Sequence, residues 1–376
     1  MNMRYLKQLP ILMASLGLYA ATADRKMDMM QPEDCVELCY AGPRLDCDEY
    51  WDISAAATYF QARAQGVDIA LITQDRTNFT YPVNGIGVQP IEDLNWGFKV
   101  GLGYKLFRED WKLAARYTYY NAVQNTPFEV AYGSAFIPSM YSNQFIGGNT
   151  NLVYQLFNNL ELGTRNTINN VNVVAVRPSY IDKKVEISTY YGLDATFITR
   201  RTVSVFTNDV VPTGSNQRYA SANGGFYQNY QKYSWWGVGP MVGGHAKYYV
   251  NYDISLYGDI YGALNYGYSR CRVSSFSKPG YGSTAATAPS TGSLVAQEVT
   301  VNNPLYQFAP EFSYQLGVNW TKVTEDNAML LGINVGYEAT YFFNVIKTIT
   351  PSTAYRIEDG TGLGLQGLVI EGYVDF

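Results

Sequence analysis

The sequence predicts an all-β fold: one transmembrane antiparallel β-barrel of the outer-membrane type, with about 12 strands and a range of roughly 10 to 16. Three observations carry that expectation. Aromatic residues make up 15% of the 376-residue chain, whereas charged residues are only 16%, against about 25% in a typical soluble domain. Apolar and polar residues alternate with period two over stretches longer than a globular strand of about five or six residues requires. The first 23 residues have the form of an export leader.

The same numbers exclude other classes. A disordered chain is poor in aromatics. Beyond the leader no apolar run approaches the roughly 18 residues of a membrane helix. The 27 Lys+Arg against 32 Asp+Glu leave a net charge of -5, which rules out a basic nucleic-acid surface as the main partner.

Taken in order, residues 1–23 read as a signal peptide. Arg4 and Lys7 form its positive start, Pro10 to Ala20 its short apolar stretch, and Ala21-Thr22-Ala23 its cleavage site. Residues 24–50 form a cysteine-containing N-terminal segment, and 51–376 form the barrel. Strands are expected near 51–61, 94–106, 111–120, 171–178, 184–200, 235–250, 252–268, 308–320, 328–344 and 366–376. In 94–106, Leu94, Trp96, Phe98, Val100, Leu102, Tyr104 and Leu106 share one face, opposite Asn95, Gly97, Lys99, Gly101, Gly103 and Lys105. After a short turn at Glu109-Asp110 the pattern resumes with Trp111, Leu113, Ala115, Tyr117 and Tyr119 against Lys112 and Arg116, which makes a hairpin. The segments at 184–200, 252–268, 308–320 and 328–344 repeat the scheme. Glu186, Asp194, Asp259, Glu311 and Glu338 fall mid-strand on the less apolar face, where a charge is costly in a packed core and cheap beside water. Aromatics gather toward strand ends, as girdles at the two membrane interfaces would. The last segment, Leu368 to Phe376, alternates to its final residue, as a strand that closes a barrel would.

Between these segments, 131–137 is a further candidate strand, and 148–160 reads as either a constriction-loop helix or a strand. Residues 201–234 and 272–305 are rich in Ser, Thr, Asn and Gly and read as long polar loops.

Cys35, Cys39, Cys47 and Cys271 are candidates for disulfides in an exported protein, with pairing left open. No metal site, cofactor site or catalytic group is expected. His245 is the only histidine and shares a face with Lys247 and Tyr249. The glycines of Gly237 to Gly244 open no helix and fit a strand packed closely by a neighbour.

Trp235-Trp236-Gly237-Val238-Gly239-Pro240-Met241-Val242-Gly243, the strand Ser255 to Asp259, the run Leu331 to Asn344 and Gly362 to Leu368 together resemble the major outer membrane protein family of Legionella and of chlamydia-related bacteria. The resemblance covers much of residues 50–376. It implies a pore-forming barrel in the bacterial outer membrane, without catalytic residues.

The expected function is therefore that of a porin: a water-filled channel for passive diffusion of ions and small hydrophilic solutes. The expected lining is Lys99, Lys105, Lys112, Arg116, Lys184, Glu186, Asp194, Asp253, Asp259, Glu311 and Glu338. Basic groups crowd the first half of the barrel and carboxylates the later part, so a transverse field across the lumen is expected. The alternatives are a surface adhesin or a disulfide-crosslinked structural envelope protein, each anchored by the barrel. Expected partners are outer-membrane lipids and small polar solutes or ions; a homo-oligomer stays open.

Overall fold

A computed structural model describes residues 43, 50–64, 69–73, 85–90, 92–106, 111–130, 134–138, 157–182, 184–207, 226–278, 297–324, 328–349 and 358–376. The expected leader and Cys35, Cys39 and Cys47 lie outside the described residues. Ten long strands form a closed barrel: β1 (Tyr50–Ala64), β4 (Leu94–Lys105), β5 (Lys112–Glu129), β7 (Asn159–Asp182), β8 (Val185–Thr207), β9 (Phe226–Tyr249), β10 (Ile254–Lys278), β11 (Gln297–Val323), β12 (Leu330–Ile349) and β13 (Glu358–Asp375). Every neighbouring pair is antiparallel, and closure runs through β1, which pairs with both β4 and β13. Trp51 and Phe376 exchange backbone hydrogen bonds of 2.8 and 2.9 Å at the seam. A closed ring leaves no strand edge unpaired in hydrocarbon.

Each of the ten expected strands is present, but the count is ten rather than 12. Of the two extra candidates, Ala135–Pro138 is β6 of a separate three-stranded sheet with β2 (Ala70–Thr73) and β3 (Ile86–Val88). The 148–160 segment contributes only the start of β7 among its described residues. The expected loop boundaries also move. Residues 201–207, 226–234, 272–278 and 297–305 are strand. Polar side chains do not stop a ladder made of backbone hydrogen bonds, and beyond the hydrocarbon they carry no transfer cost.

The two ends of the barrel differ. Connections of a few residues join β4 to β5, β7 to β8, β9 to β10 and β11 to β12 at one end; long connections lie at the other. Outward faces are apolar in mid-barrel: Leu193, Val238, Val242, Leu256, Ile260, Leu264, Leu316, Val318, Ile333, Val335, Leu368 and Ile370 are all exposed. Toward the long-loop end, Phe197, Trp236, Tyr268 and Tyr306 stand side by side on β8 to β11 in direct register. Trp51, Tyr104, Tyr248 and Trp320 stand at the short-turn end, where the Trp51 and Tyr104 rings lie 4.8 Å apart. An apolar band between two aromatic rows is the surface that a lipid bilayer selects.

Two local features shape the interior. Gly243 leaves room for the Tyr190 ring, which a Cβ there would meet at 2.4 Å. On β12 the register slips between Phe342 and Ile346, with Asn344 at φ 57. Asparagine tolerates the left-handed region better than most residues. The bulge turns both Val345 (0% exposed) and Ile346 (2%) out of water.

Candidate functional site: the barrel interior

Strand periodicity sends one side chain in two inward, so the inward set stacks as layers from the short-turn end upward. The first layer is charged. The Lys112 ammonium pairs with the Asp52 carboxylate, and Lys105 and Lys112 stand 5.5 and 6.0 Å from the Tyr50 ring centroid. Tyr249 donates to Glu186 Oε2 at 2.9 Å. Lys247 shares the field of Glu186 and Asp375.

The next layer is built around Arg116. Its guanidinium feels the carboxylates of Glu371, Asp259 and Glu338, and it is exposed although its position on β5 points inward. The interior at this level is therefore wide enough to hold water beside the guanidinium. Asp259 accepts from Tyr190 at 2.8 Å, and His245 Nδ1 lies 3.4 Å from its other oxygen. Asn334 Nδ2 donates to Glu371 Oε2 at 3.0 Å.

Above it the interior tightens. Lys99 on β4 reaches across to Glu338 on β12, and both side chains are nearly dry. Asp194 (0% exposed) and Glu311 (3%) sit together. Asp194 accepts from Asn170 at 2.6 Å and Thr196 at 2.9 Å, and Glu311 accepts from Tyr261 at 2.9 Å. Donors this dense are what makes two buried carboxyls tolerable.

Then comes an apolar belt. Phe60, Tyr120, Ile168, Ile198, Trp235, Phe342, Val345, Ile346, Leu363 and neighbours form one cluster, to which every barrel strand except β4 contributes. Its members are buried against one another. Packed in this way, they narrow the interior at this level, with half-buried Asn95 on β4 beside Phe60. The expected lumen is narrowed there by these side chains. Ring size explains the packing: about eight strands enclose just enough space for side chains to fill, and ten widen it only slightly.

Beyond the belt, Glu92, in the β3–β4 connection, reaches over β5 and β7 to Arg200 Nη1 at 2.8 Å, with Asn166 Nδ2 3.3 Å from the same carboxylate oxygen. Ile69, Ala70, Val88, Phe136, Phe157, Leu160, Leu162, Phe206 and Tyr227 form a second cluster, which joins the small sheet to the walls. Burial raises the Glu92 carboxyl above its ordinary value, against the opposing pull of the Arg200 guanidinium. A carboxyl raised by folding holds its segment best when protonated, and that stability is lost as pH climbs through the folded value. Protection of the 92–93 amides, corrected for intrinsic exchange, should therefore fall as pH rises above about 4.5 in the parent. With Glu92→Gln the dependence should flatten; an unchanged slope would place the titrating group elsewhere.

Residues 46–376 match the family model described as Legionella pneumophila major outer membrane protein precursor. The chain belongs to this family. Membership places it in the bacterial outer membrane, as the resemblance implied. No curated protein matches. Among solved structures, the outer membrane protease OmpT of Escherichia coli is 9% identical, with 87% of this chain and 96% of that chain covered and a TM-score of 0.40. A major outer membrane protein of Thermus thermophilus is 9% identical, covering 87% and 99%, with a TM-score of 0.27. Ail of Yersinia pestis, crystallised with a heparin analogue, is 11% identical, covering 86% and 98%, with a TM-score of 0.20.

In this family member, nine of the eleven expected lining residues point inward: Lys99, Lys105, Lys112, Arg116, Glu186, Asp194, Asp259, Glu311 and Glu338. Lys184 and Asp253 do not. They are exposed in the short β7–β8 and β9–β10 turns, because each strand begins just after them. Cys271 is 2% exposed, in the belt, and the other three cysteines lie outside the described residues. Asp52, Lys247, Glu371 and Asp375 belong to the charged layers and were legible as members of the polar strand face. Arg200 was legible in the same way, on the face of β8 that carries Asp194 and Thr196, whereas Glu92 was not, since it lies in a connection where no periodicity reports its direction.

Proposed function

We propose that the barrel is a narrow, gated diffusion channel for small polar solutes and ions, with the charged layers as its vestibule and the apolar belt as its gate. The observation that carries this reading is Arg116, inward and yet open to water among three carboxylates. Groups present only for packing would be as dry as Asp194. An apolar constriction stops conduction by expelling water, and a small rearrangement of side chains rewets it. Cations on β4 and β5 face carboxylates on β10, β12 and β13, an arrangement that orients dipolar solutes.

A second reading has the barrel as an anchor for surface loops, and the belt favours it. Single-channel recording of the folded protein in a planar bilayer separates the two. The channel reading expects brief steps of small, constant size whose reversal potential in a salt gradient shifts toward cation preference with Arg116→Gln. Silence from a barrel shown by heat-modifiable gel mobility to be folded would leave the anchor.

A further inference from the structure

The outer surface carries a row of cations that the channel does not use. Arg165 on β7 is paired with Arg201 on β8, Arg201 with Lys232 on β9, and Lys232 with Arg272 on β10. Four cationic residues thus stand in direct register on four adjacent strands, and Arg270 lies two residues along β10. All occupy outward positions; Arg165, Arg201, Arg270 and Arg272 are exposed and Lys232 is half-buried. Among the described residues no carboxylate pairs with any of them. Arg165 Nε donates to Asn121 Oδ1 at 3.1 Å. The outward carboxylate on these strands, Glu161, lies four residues further along β7.

Like charges directly opposite each other across a sheet repel, and neighbouring strands are about 4.8 Å apart. Such a row is favourable only with an anion against it. Its height says which. The aromatic row Phe197, Trp236, Tyr268 marks the membrane interface on the same strands, and the cations follow four residues beyond it, toward the long-loop end. At about 3.3 Å per residue and a strand tilt near 40°, that is roughly 10 Å further from the hydrocarbon. Long loops are the extracellular side of such barrels, so the row faces the headgroups of the outer leaflet. Arginine supplies a planar fork that fits phosphate oxygens two at a time.

We infer that the outward face of β7 to β10 binds the phosphate groups of a phosphorylated glycolipid headgroup in the outer leaflet. The site is independent of whether the barrel conducts.

The full chain, folded in neutral detergent, would be titrated with bisphosphorylated lipid A, dephosphorylated lipid A, phosphatidylglycerol and inorganic phosphate, with bound lipid read by native mass spectrometry. Bisphosphorylated lipid A should bind in preference to the other lipids. The variant carrying Arg201→Gln, Lys232→Gln and Arg272→Gln should lose about tenfold or more of that affinity. Arg201→Gln alone should lose part of it. Lys184→Gln with Lys322→Gln, exposed at the opposite end, should leave it unchanged. Heat-modifiable mobility confirms that each variant is folded. Equal affinity of parent and triple variant would overturn the site. Equal binding of the dephosphorylated lipid or of phosphatidylglycerol would overturn the phosphorylated-headgroup assignment. Displacement of lipid A by equimolar inorganic phosphate would show a free-anion site and overturn the lipid.

Discussion

Glu338→Ala should destabilise the folded barrel by about 3–5 kcal/mol, because it strands the Lys99 ammonium in a dry interior without its counter-charge. The side chains of Lys99 and Glu338 are 10% and 7% exposed, so solvent screens the pair little. Thr340 Oγ1, which donates to Glu338 Oε1 at 3.3 Å, would lose its acceptor as well. Replacing both partners, Lys99→Met with Glu338→Met, should recover most of the loss, since two apolar groups of similar length remove the desolvation cost together with the attraction. Reversible denaturant unfolding in lipid vesicles compares the parent, Glu338→Ala and the double variant. A double variant as unstable as Glu338→Ala would mean that the cost lies in packing rather than in charge.

Truncating the belt should convert a narrow barrel into a leaky one. Phe60 and Tyr120, both 0% exposed, place their ring centroids 6.3 Å apart, and the Tyr120 hydroxyl donates to the Phe60 carbonyl. They project from β1 and β5 over β4, where Gly97 carries no side chain to support them: a Cβ there would meet Thr58 Oγ1 at 2.7 Å. Phe60→Ala with Tyr120→Ala removes the largest volume from that sector. Each truncation should cost about 3–5 kcal/mol of stability. Water entering the gap should give long-lived open steps, several-fold more frequent than in the parent, in the same bilayer recording. A folded double variant with the conductance of the parent would remove the belt as the gate. The two sites touch, with the Lys99 ammonium 5.8 Å from the Phe60 ring centroid, so conductance rather than stability is the readout that separates the two predictions.

Much of this architecture was legible without coordinates because alternation is a property of the strand itself. On 94–105 the polar face holds Lys99 and Lys105 and the apolar face Trp96 and Phe98, and the pleat alone sends them opposite ways. The same logic located Arg116, Glu186, Asp259 and Glu338. It failed where the chain leaves the pleat: Lys184 and Asp253 fall in turns, and Glu92 arrives from a connection. It also failed for strand length, because serine, threonine and asparagine on 201–207 and 272–278 read as loop although their backbones continue the ladder.

Family, fold class and the inward or outward sense of the residues in the ten expected strand segments follow from the sequence alone, since all three rest on local pattern. What the barrel encloses was decided by the tertiary structure. Lys99 meets Glu338 across 239 residues, and the belt assembles from nine strands. The row of cations on β7 to β10 forms only in the final register. Each of these depends on how many strands close the ring and by how much they are staggered, and a period of two contains neither quantity.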